Sequence, residues 1–413
     1  MNSWSFASKA IHAGFGQDAK TGATCLPIYE SSAFAYSTAQ ELADVFAGRK
    51  FGYIYSRIAN PTVSALEERL NALEDGLGAL ATASGMAAIA TAILALVNTG
   101  EEMVSSKSLF GGTFQFFEQL LQKNGIVVRY VDTMDVAAYE AAITPKTRLI
   151  FVESMGNPKL DIPPIPEIVA LANVHNIPVI VDATVSTPYL FSAKKWGVAI
   201  VVHSLTKYIS GGGHTIGGAL VDLGQFDWTK CRSQEIRKIS EKAGKLAFLA
   251  RARKQILQNT GSCLAPFSAY MIHSGIETLP LRMDKHCANA GALAGFLADH
   301  PKVTGVHYPG LSSSPYYTQS KKLFSAPGGL LTLRVGSQEG AFRVIDALKL
   351  AKNLANLGDV RTLVIHPAST IYRDFSGKSQ IEAGVYPDLI RVSVGIEGIE
   401  DIISDFESAL GEV

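Results

Sequence analysis

A lysine, an aspartate and two hydroxyls are spaced in this chain so that they could meet. Lys207 closes Val201-Val202-His203-Ser204-Leu205-Thr206-Lys207, after the apolar run 199–202, and Gly211, Gly212 and Gly213 follow it. Asp182 ends a second apolar run, Pro178-Val179-Ile180-Val181. An amine can form a Schiff base with a carbonyl group, a carboxylate can face a protonated ring nitrogen, and Ser204 and Thr206 can hold a phosphate. Those are the needs of a pyridoxal phosphate site.

Taken singly, each feature is ordinary. A lysine after a strand is usually a solvated surface residue, and an aspartate at a strand end is usually a helix cap. A nucleotide-binding P-loop is excluded by order, because its glycines precede the lysine and here they follow it. Gly213-His-Thr-Ile-Gly217 also lacks the spacing of a dinucleotide fingerprint.

The rest of the chain must position these groups. Its 413 residues exceed one ordinary core, which predicts two domains. Hydrophobic residues make up 47% and charged ones 18%, the balance of a well-buried enzyme rather than a disordered chain. The 37 Lys and Arg balance the 37 Asp and Glu, which argues against nucleic acid or an anionic membrane surface as a partner. Cys25, Cys231, Cys263 and Cys287 lack metal-ligand spacing, so no metal is expected and reduced thiols in the cytoplasm are. The start, Met1-Asn2-Ser3-Trp4, has no basic region followed by an apolar core, so no signal peptide is expected. The longest apolar stretch, 86–97, suits a buried helix and is too short for a bilayer.

Residues 1–60 lack periodicity and carry Phe34, Tyr36, Phe51, Tyr53 and Tyr55. Such a segment would be costly to leave in water and reads as an arm on a neighbouring subunit. Asn60-Pro61 predicts a capped helix with Leu66, Leu70 and Leu73 on one face, ending near Asp75-Gly76. Strands are predicted at 102–106, 126–131, 149–153, 178–182, 199–203 and 217–222. Their unalternating apolar character predicts a mainly parallel sheet covered on both faces. Ligands of such sheets bind beyond the strands' carboxyl ends, where Asn157, Asp182 and Lys207 fall. A basic helical stretch, 228–260, precedes an α+β unit with strands at 302–307, 330–335, 361–366 and 389–394 and helices at 285–300, 338–350 and 398–410. The domains are thus an arm (1–60), a large domain (61–260) and a C-terminal α+β domain (261–413).

Ser84-Gly85-Met86 opens the apolar helix, where free amides can take a phosphate and glycine permits close approach. Tyr55 and Arg57 could add a hydroxyl and a cation, from the other subunit if the arm crosses. Arg391, in the apolar strand Leu389-Ile-Arg-Val-Ser-Val394, needs an acidic partner, and a substrate carboxylate suits its forked geometry.

Six segments make the chain resemble the pyridoxal-phosphate enzymes of cysteine and methionine metabolism over essentially its whole length. They are Tyr-Ser-Arg-Ile-Ala-Asn-Pro-Thr (55–62), Ala-Ser-Gly-Met-Ala-Ala-Ile (83–89), Val-Asp-Ala-Thr (181–184), His-Ser-Leu-Thr-Lys-Tyr (203–208), His-Pro-Ala-Ser (366–369) and Ile-Arg-Val-Ser-Val-Gly-Ile-Glu (390–397). Within the family, segments 153–158, 216–222, 261–267 and 275–283 resemble the O-acetylhomoserine sulfhydrylases. The resemblance implies the fold-type I, aspartate aminotransferase-like architecture, with a mainly parallel seven-stranded sheet and sites shared across a dimer, two dimers commonly making a tetramer. It assigns Lys207 to the Schiff base and proton shuttling and Asp182 to the ring nitrogen. Tyr55, Arg57, Ser84, Gly85, Met86, Thr184, Ser204 and Thr206 are assigned to binding the cofactor, chiefly its phosphate, and Tyr55 is also placed with Lys207 and Phe110 among the catalytic positions. Arg391 takes the substrate carboxylate, with Asn157 and Thr362 assisting.

Three positions depart from the family. Phe110 stands where many members have a tyrosine that stacks on the cofactor and assists proton transfer at the γ-substituent. Phenylalanine keeps the stacking surface without the hydroxyl. Gly112 replaces a cysteine typical of methionine γ-lyases, and Tyr372 stands where sulfhydrylases usually have histidine. The expected activity is γ-replacement on an activated homoserine, most of all O-acetylhomoserine, with sulfide, a small thiol or a sulfur-carrier thiocarboxylate as nucleophile. Alternatives are succinyl or phosphoryl homoserine as substrate, a cystathionine γ-synthase, a γ-lyase acting on methionine or cystathionine, and a catalytically silent homologue with a binding role.

Overall fold

A computed structural model describes residues 4–412. Met1–Ser3 and Val413, the extremes of the predicted arm and C-terminal domain, lie outside the described residues.

Seven strands form the larger sheet: β1 (Gly78–Thr82), β2 (Glu102–Ser106), β3 (Val127–Val131), β4 (Thr147–Glu153), β5 (Val179–Asp182), β6 (Ile200–Ser204) and β7 (Gly218–Asp222). Their order is β1-β7-β6-β5-β4-β2-β3. β3, β2, β4, β5 and β6 run parallel, while β7 lies antiparallel to both β6 and β1. Ile150, Val152, Val181 and Val201 are buried on one face, and Leu149, Phe151, Ile180 and Val202 on the other. Burial on both faces explains why these strands are apolar without alternation. β1 is the strand the sequence does not announce, since Gly-Ala-Leu-Ala-Thr has little β-branched or aromatic character.

The N-terminal segment is less extended than predicted. Helices α1 (Phe6–His12) and α2 (Ala39–Phe46) interrupt it. α1 packs on its own chain, where Arg69 donates to the carbonyls of Ile11 and Ala13. The stretch beyond about residue 28 keeps an open aromatic surface, with Tyr29, Phe51 and Tyr55 exposed, as is Trp4 before α1. α3 (Pro61–Leu73) starts as predicted, Asn60 accepting from the amides of Thr62 and Val63 with proline in the first turn. Leu66, Leu70 and Leu73 are buried on the large-sheet core.

Five strands form the second sheet: β8 (Gly305–His307), β9 (Leu330–Arg334), β10 (Lys352–Asn353), β11 (Leu363–Ile365) and β12 (Leu389–Ser393), in the order β10-β11-β12-β9-β8. Pairing is antiparallel except between β10 and β11. The helices Leu279–Asp299, Gln338–Ala347 and Ile399–Leu410 cover it through Leu293, Leu297, Val344, Ile402 and Phe406. Among the described residues no helix is long and apolar enough to cross a membrane, and no cluster of His, Cys, Asp or Glu could hold a metal ion.

Candidate active site

Parallel pairing brings the carboxyl ends of β4, β5 and β6 side by side. Glu153 is the register partner of Asp182, and Asp182 that of Val202, so Ser204 projects just beyond. The chain then turns tightly, the Lys207 amide donating back to the Ser204 carbonyl. That turn delivers the Lys207 side chain into a cavity of about 410 Å³ at the strand ends. This volume suits a cofactor-sized ligand.

Helix α4 (Gly85–Leu94) points its first turn at the same place. Ser84 caps it by accepting from the Ala87 amide. As the first two helical residues, Gly85 and Met86 have amides with no intrahelical acceptor. A Cβ at Gly85 would come within 2.7 Å of the Ser204 Cβ, and one at Gly218 within 2.0 Å of the Ser84 carbonyl oxygen. Only glycine allows this close approach of helix, β6 and β7. Thr206 ties down the wall by bonding both the amide and the carbonyl of Gly217.

Desolvation dominates the electrostatics. Burial raises the Asp182 carboxyl above its ordinary range, partly opposed by bonds from Thr184 and by the charge of His203. Burial, and then the neighbouring Asp182 charge, holds the Glu153 carboxyl well above its usual value. Glu153 Oε1 accepts from the Phe110 amide at 2.6 Å, which fixes the backbone carrying the Phe110 ring at the cavity mouth. Lys207 Nζ donates to Asn356 Oδ1 at 2.6 Å, and burial, followed by the charge of Arg391, lowers its pKa to about 8.

Arg391, on β12, is buried and enters from the second sheet. Its Nη1 donates to Asn157 Oδ1 at 3.2 Å and its Nη2 to the Asn356 carbonyl at 2.6 Å, leaving Nε without a partner. It has no carboxylate partner among the described residues. A buried guanidinium without a counter-ion is costly, so the arrangement fits a carboxylate ligand.

Ser84, Gly85, Met86, Phe110, Asn157, Asp182, Thr184, Ser204, Thr206, Lys207 and Arg391 all line the cavity. Three residues named from sequence do not. Thr362 is fully buried, its amide and hydroxyl both donating to the Glu397 carboxylate, so nothing of it is free for a substrate. Tyr55 and Arg57 lie on the surface, Tyr55 bridged to Ala33 and Arg57 donating to the Gln258 carbonyl. Sequence reasoning missed Glu153 and Asn356 as site residues. Glu153 carries the same signal as Asp182, a carboxylate ending a buried apolar run. Asn356 lies in a loop and carries none.

The residues fit pyridoxal phosphate on these observations: a dry amine, a helix start cradled by glycine, a carboxylate at a neighbouring strand end, and room for the ring. The family model for the Cys/Met metabolism PLP-dependent enzymes matches residues 7–411. The chain belongs to that family. It is 40% identical over 424 residues to an O-acetyl-L-homoserine sulfhydrylase of Leptospira meyeri, covering 98% of this chain and 96% of that protein. It is 39% identical over 407 residues to an L-methionine gamma-lyase of Pseudomonas putida, covering 98% and 97%. A Campylobacter jejuni structure described as an O-acetylhomoserine (thiol)-lyase, solved with N'-pyridoxyl-lysine-5'-monophosphate, superposes with a TM-score of 0.94 at 34% identity, over 99% of this chain and 100% of that one. The architecture is that of the fold-type I pyridoxal-phosphate enzymes, and pyridoxal phosphate is the cofactor.

Proposed function

We propose that this enzyme replaces the γ-substituent of O-acetylhomoserine with a sulfur nucleophile, giving homocysteine. The observation that carries the reading is Arg391, buried without a counter-ion in the cavity that holds Lys207. An α-amino acid brings both the carboxylate that Arg391 lacks and an amine that can reach the Lys207 position. Lys207 and Arg391 are the only cations lining the cavity among the described residues, which favours an uncharged acetyl group over a succinyl or phosphoryl one. The family relatives named as sulfhydrylases support the same choice.

In this reading Lys207 holds the cofactor and, once released by the substrate amine, moves protons at the substrate's α- and β-carbons. When bound, pyridoxal phosphate supplies the electron sink that acidifies those carbons. A pKa near 8 leaves Lys207 partly neutral close to neutral pH, as a proton acceptor must be. Asp182 faces the ring nitrogen. Ser84, Gly85, Met86, Ser204 and Thr206 receive the phosphate, with Thr184 fixing Asp182 and Ser204. Asn157 and Asn356 aim Arg391 at the substrate carboxylate. Phe110 covers the ring without a hydroxyl, which suits a leaving group that needs no proton.

The unmet need is a cation for the phosphate, and we assign it to Arg57, with Tyr55, of a neighbouring copy reached through the aromatic arm. The protein then works as a dimer or a dimer of dimers, in the cytoplasm, with residues 61–260 holding the cofactor and 261–413 supplying the clamp. The sulfur donor is free sulfide, a small thiol or a sulfur-carrier thiocarboxylate.

A panel of acetyl, succinyl and phosphoryl homoserine, crossed with these donors and read by amino-acid analysis, tests the proposal. Homocysteine formed fastest from O-acetylhomoserine is expected. Equal or faster breakdown of methionine or cystathionine would replace the reading with a γ-lyase, and no turnover of any substrate would leave a silent homologue.

A further inference from the structure

Tyr372 is a large buried group beside the site without a place in the chemistry above. It is 1% exposed, and its hydroxyl lies 2.9 Å from two carbonyl oxygens, those of Leu109 and Asn157. These belong to the two segments that carry the aromatic cover and the clamp. Leu109 precedes Phe110, and the Asn157 side chain accepts from Arg391. Burial holds the Tyr372 phenol far above its ordinary range, so it remains a donor at any working pH.

The surroundings make this contact a fixed one. The Tyr372 carbonyl accepts from Gln380 Nε2 at 2.8 Å, and its amide donates to the Pro367 carbonyl at 3.0 Å. A Cβ at Gly111 would lie 3.1 Å from the Ile371 carbonyl oxygen, so segment 371–372 rests flat on the helix start next to Phe110. Ile371 itself lines the cavity.

We infer that Tyr372 is a positioning residue that sets the cover at Phe110 and the clamp at Asn157 and Arg391 to one another through a shared phenolic proton. It touches no reacting atom. Losing the proton leaves two buried carbonyls competing for nothing, and both segments relax. The clamp then loosens while the cofactor's own anchors, on β5, β6 and α4, stay intact.

The inference rests on the reading of Arg391 as the carboxylate clamp, and the test separates the two. Holoenzyme is titrated with glycine and with methylamine, which lacks the carboxylate, following the absorbance of the bound cofactor. Tyr372→Phe is expected to weaken glycine by up to about tenfold, the upper end for one buried neutral hydrogen bond, and methylamine less than twofold. Glycine affinity unchanged, or both amines weakened alike, overturns the inference. Replacing Tyr372 with p-aminophenylalanine, which restores a donor, is expected to recover glycine binding, and failure to do so also counts against it. If Tyr372→Phe does not fold, Gln380→Ala loosens the same residue from outside the core and should weaken glycine selectively by about twofold or more; no change there overturns it. Arg391→Gln with unaltered glycine affinity instead removes the clamp reading itself.

Discussion

Lys207 Nζ lies 2.6 Å from Asn356 Oδ1, so the amine delivered by the large sheet is caught by a residue of the loop joining β10 to β11. The Asn356 carbonyl also accepts from Arg391, so one residue spaces the lysine and the arginine.

Lys207 is therefore expected to carry the cofactor. Purified protein should be yellow, and borohydride should fix the cofactor to Lys207, as peptide mapping of the reduced adduct will show. Lys207→Ala should lose that adduct and nearly all turnover. An adduct on another lysine removes the assignment.

The amine of Lys207 in apoprotein should titrate near 8, read by its rate of acylation against pH. Arg391→Gln removes a like charge and should move that midpoint upward. The folded state releases this proton more easily than the unfolded chain, which holds it until the ordinary lysine value of 10.5. This group's contribution to apoprotein stability should then rise with pH across that window. A midpoint that stays put in Arg391→Gln contradicts the coupling.

Glu153 and Asp182 work in the opposite sense. Their carboxyls are raised in the folded state, so the folded chain binds those protons more tightly than the unfolded one. Their contribution is present at acid pH and lost as pH climbs through the raised values. Apoprotein melting temperatures should carry this downward component as pH rises above the ordinary carboxylate range, and Glu153→Gln should flatten it. An unchanged slope in that variant means Glu153 is ionised throughout.

Arg57→Ala and Lys207→Ala should each be inactive alone. Mixed and exchanged, they should recover part of the activity, because one site of each hybrid dimer has both groups intact. No recovery after subunit exchange, verified by mass spectrometry, refutes the shared site.

Phe110 predicts selectivity among leaving groups. An alkyl thiol has a pKa near about 8.5 and leaves better when protonated, whereas a carboxylate, near about 4, leaves unaided. Wild type should consume O-acetylhomoserine well and cleave methionine and cystathionine poorly, by roughly the 10²–10⁴-fold of one general acid. Phe110→Tyr should raise C–S cleavage more than ester turnover. Comparable rates in the wild type on methionine and O-acetylhomoserine refute this role.

Most of the large sheet was legible because strands buried on both faces are unbroken apolar runs, and Asp182 and Lys207 stand out where such runs stop. Direction was not legible, since a buried run reads alike both ways, and β7 turned out antiparallel. Small residues hid β1. The arm read as uniformly extended because α1 and α2 are seven and eight residues long, too short to show a period. Thr362 was offered by the family resemblance alone, yet Glu397 takes both its amide and its hydroxyl. Asn356 and the Tyr372 bonds are long-range, 149, 263 and 215 residues from their partners, and local pattern has no access to such pairs.

The cavity has a division of labour with an evolutionary consequence. Asp182, Ser204 and the helix start at Gly85 belong to regular elements of one rigid core, whereas Phe110, Ile216, Ala355 and Ile371 at the mouth lie on connecting segments. Loop residues can change without disturbing the strand register beneath them. A lineage can thus trade one leaving group or sulfur donor for another by a few substitutions at the mouth while the anchor stays untouched. Enzymes so built diversify by retuning, and directed evolution of this one should draw its gains from those loops.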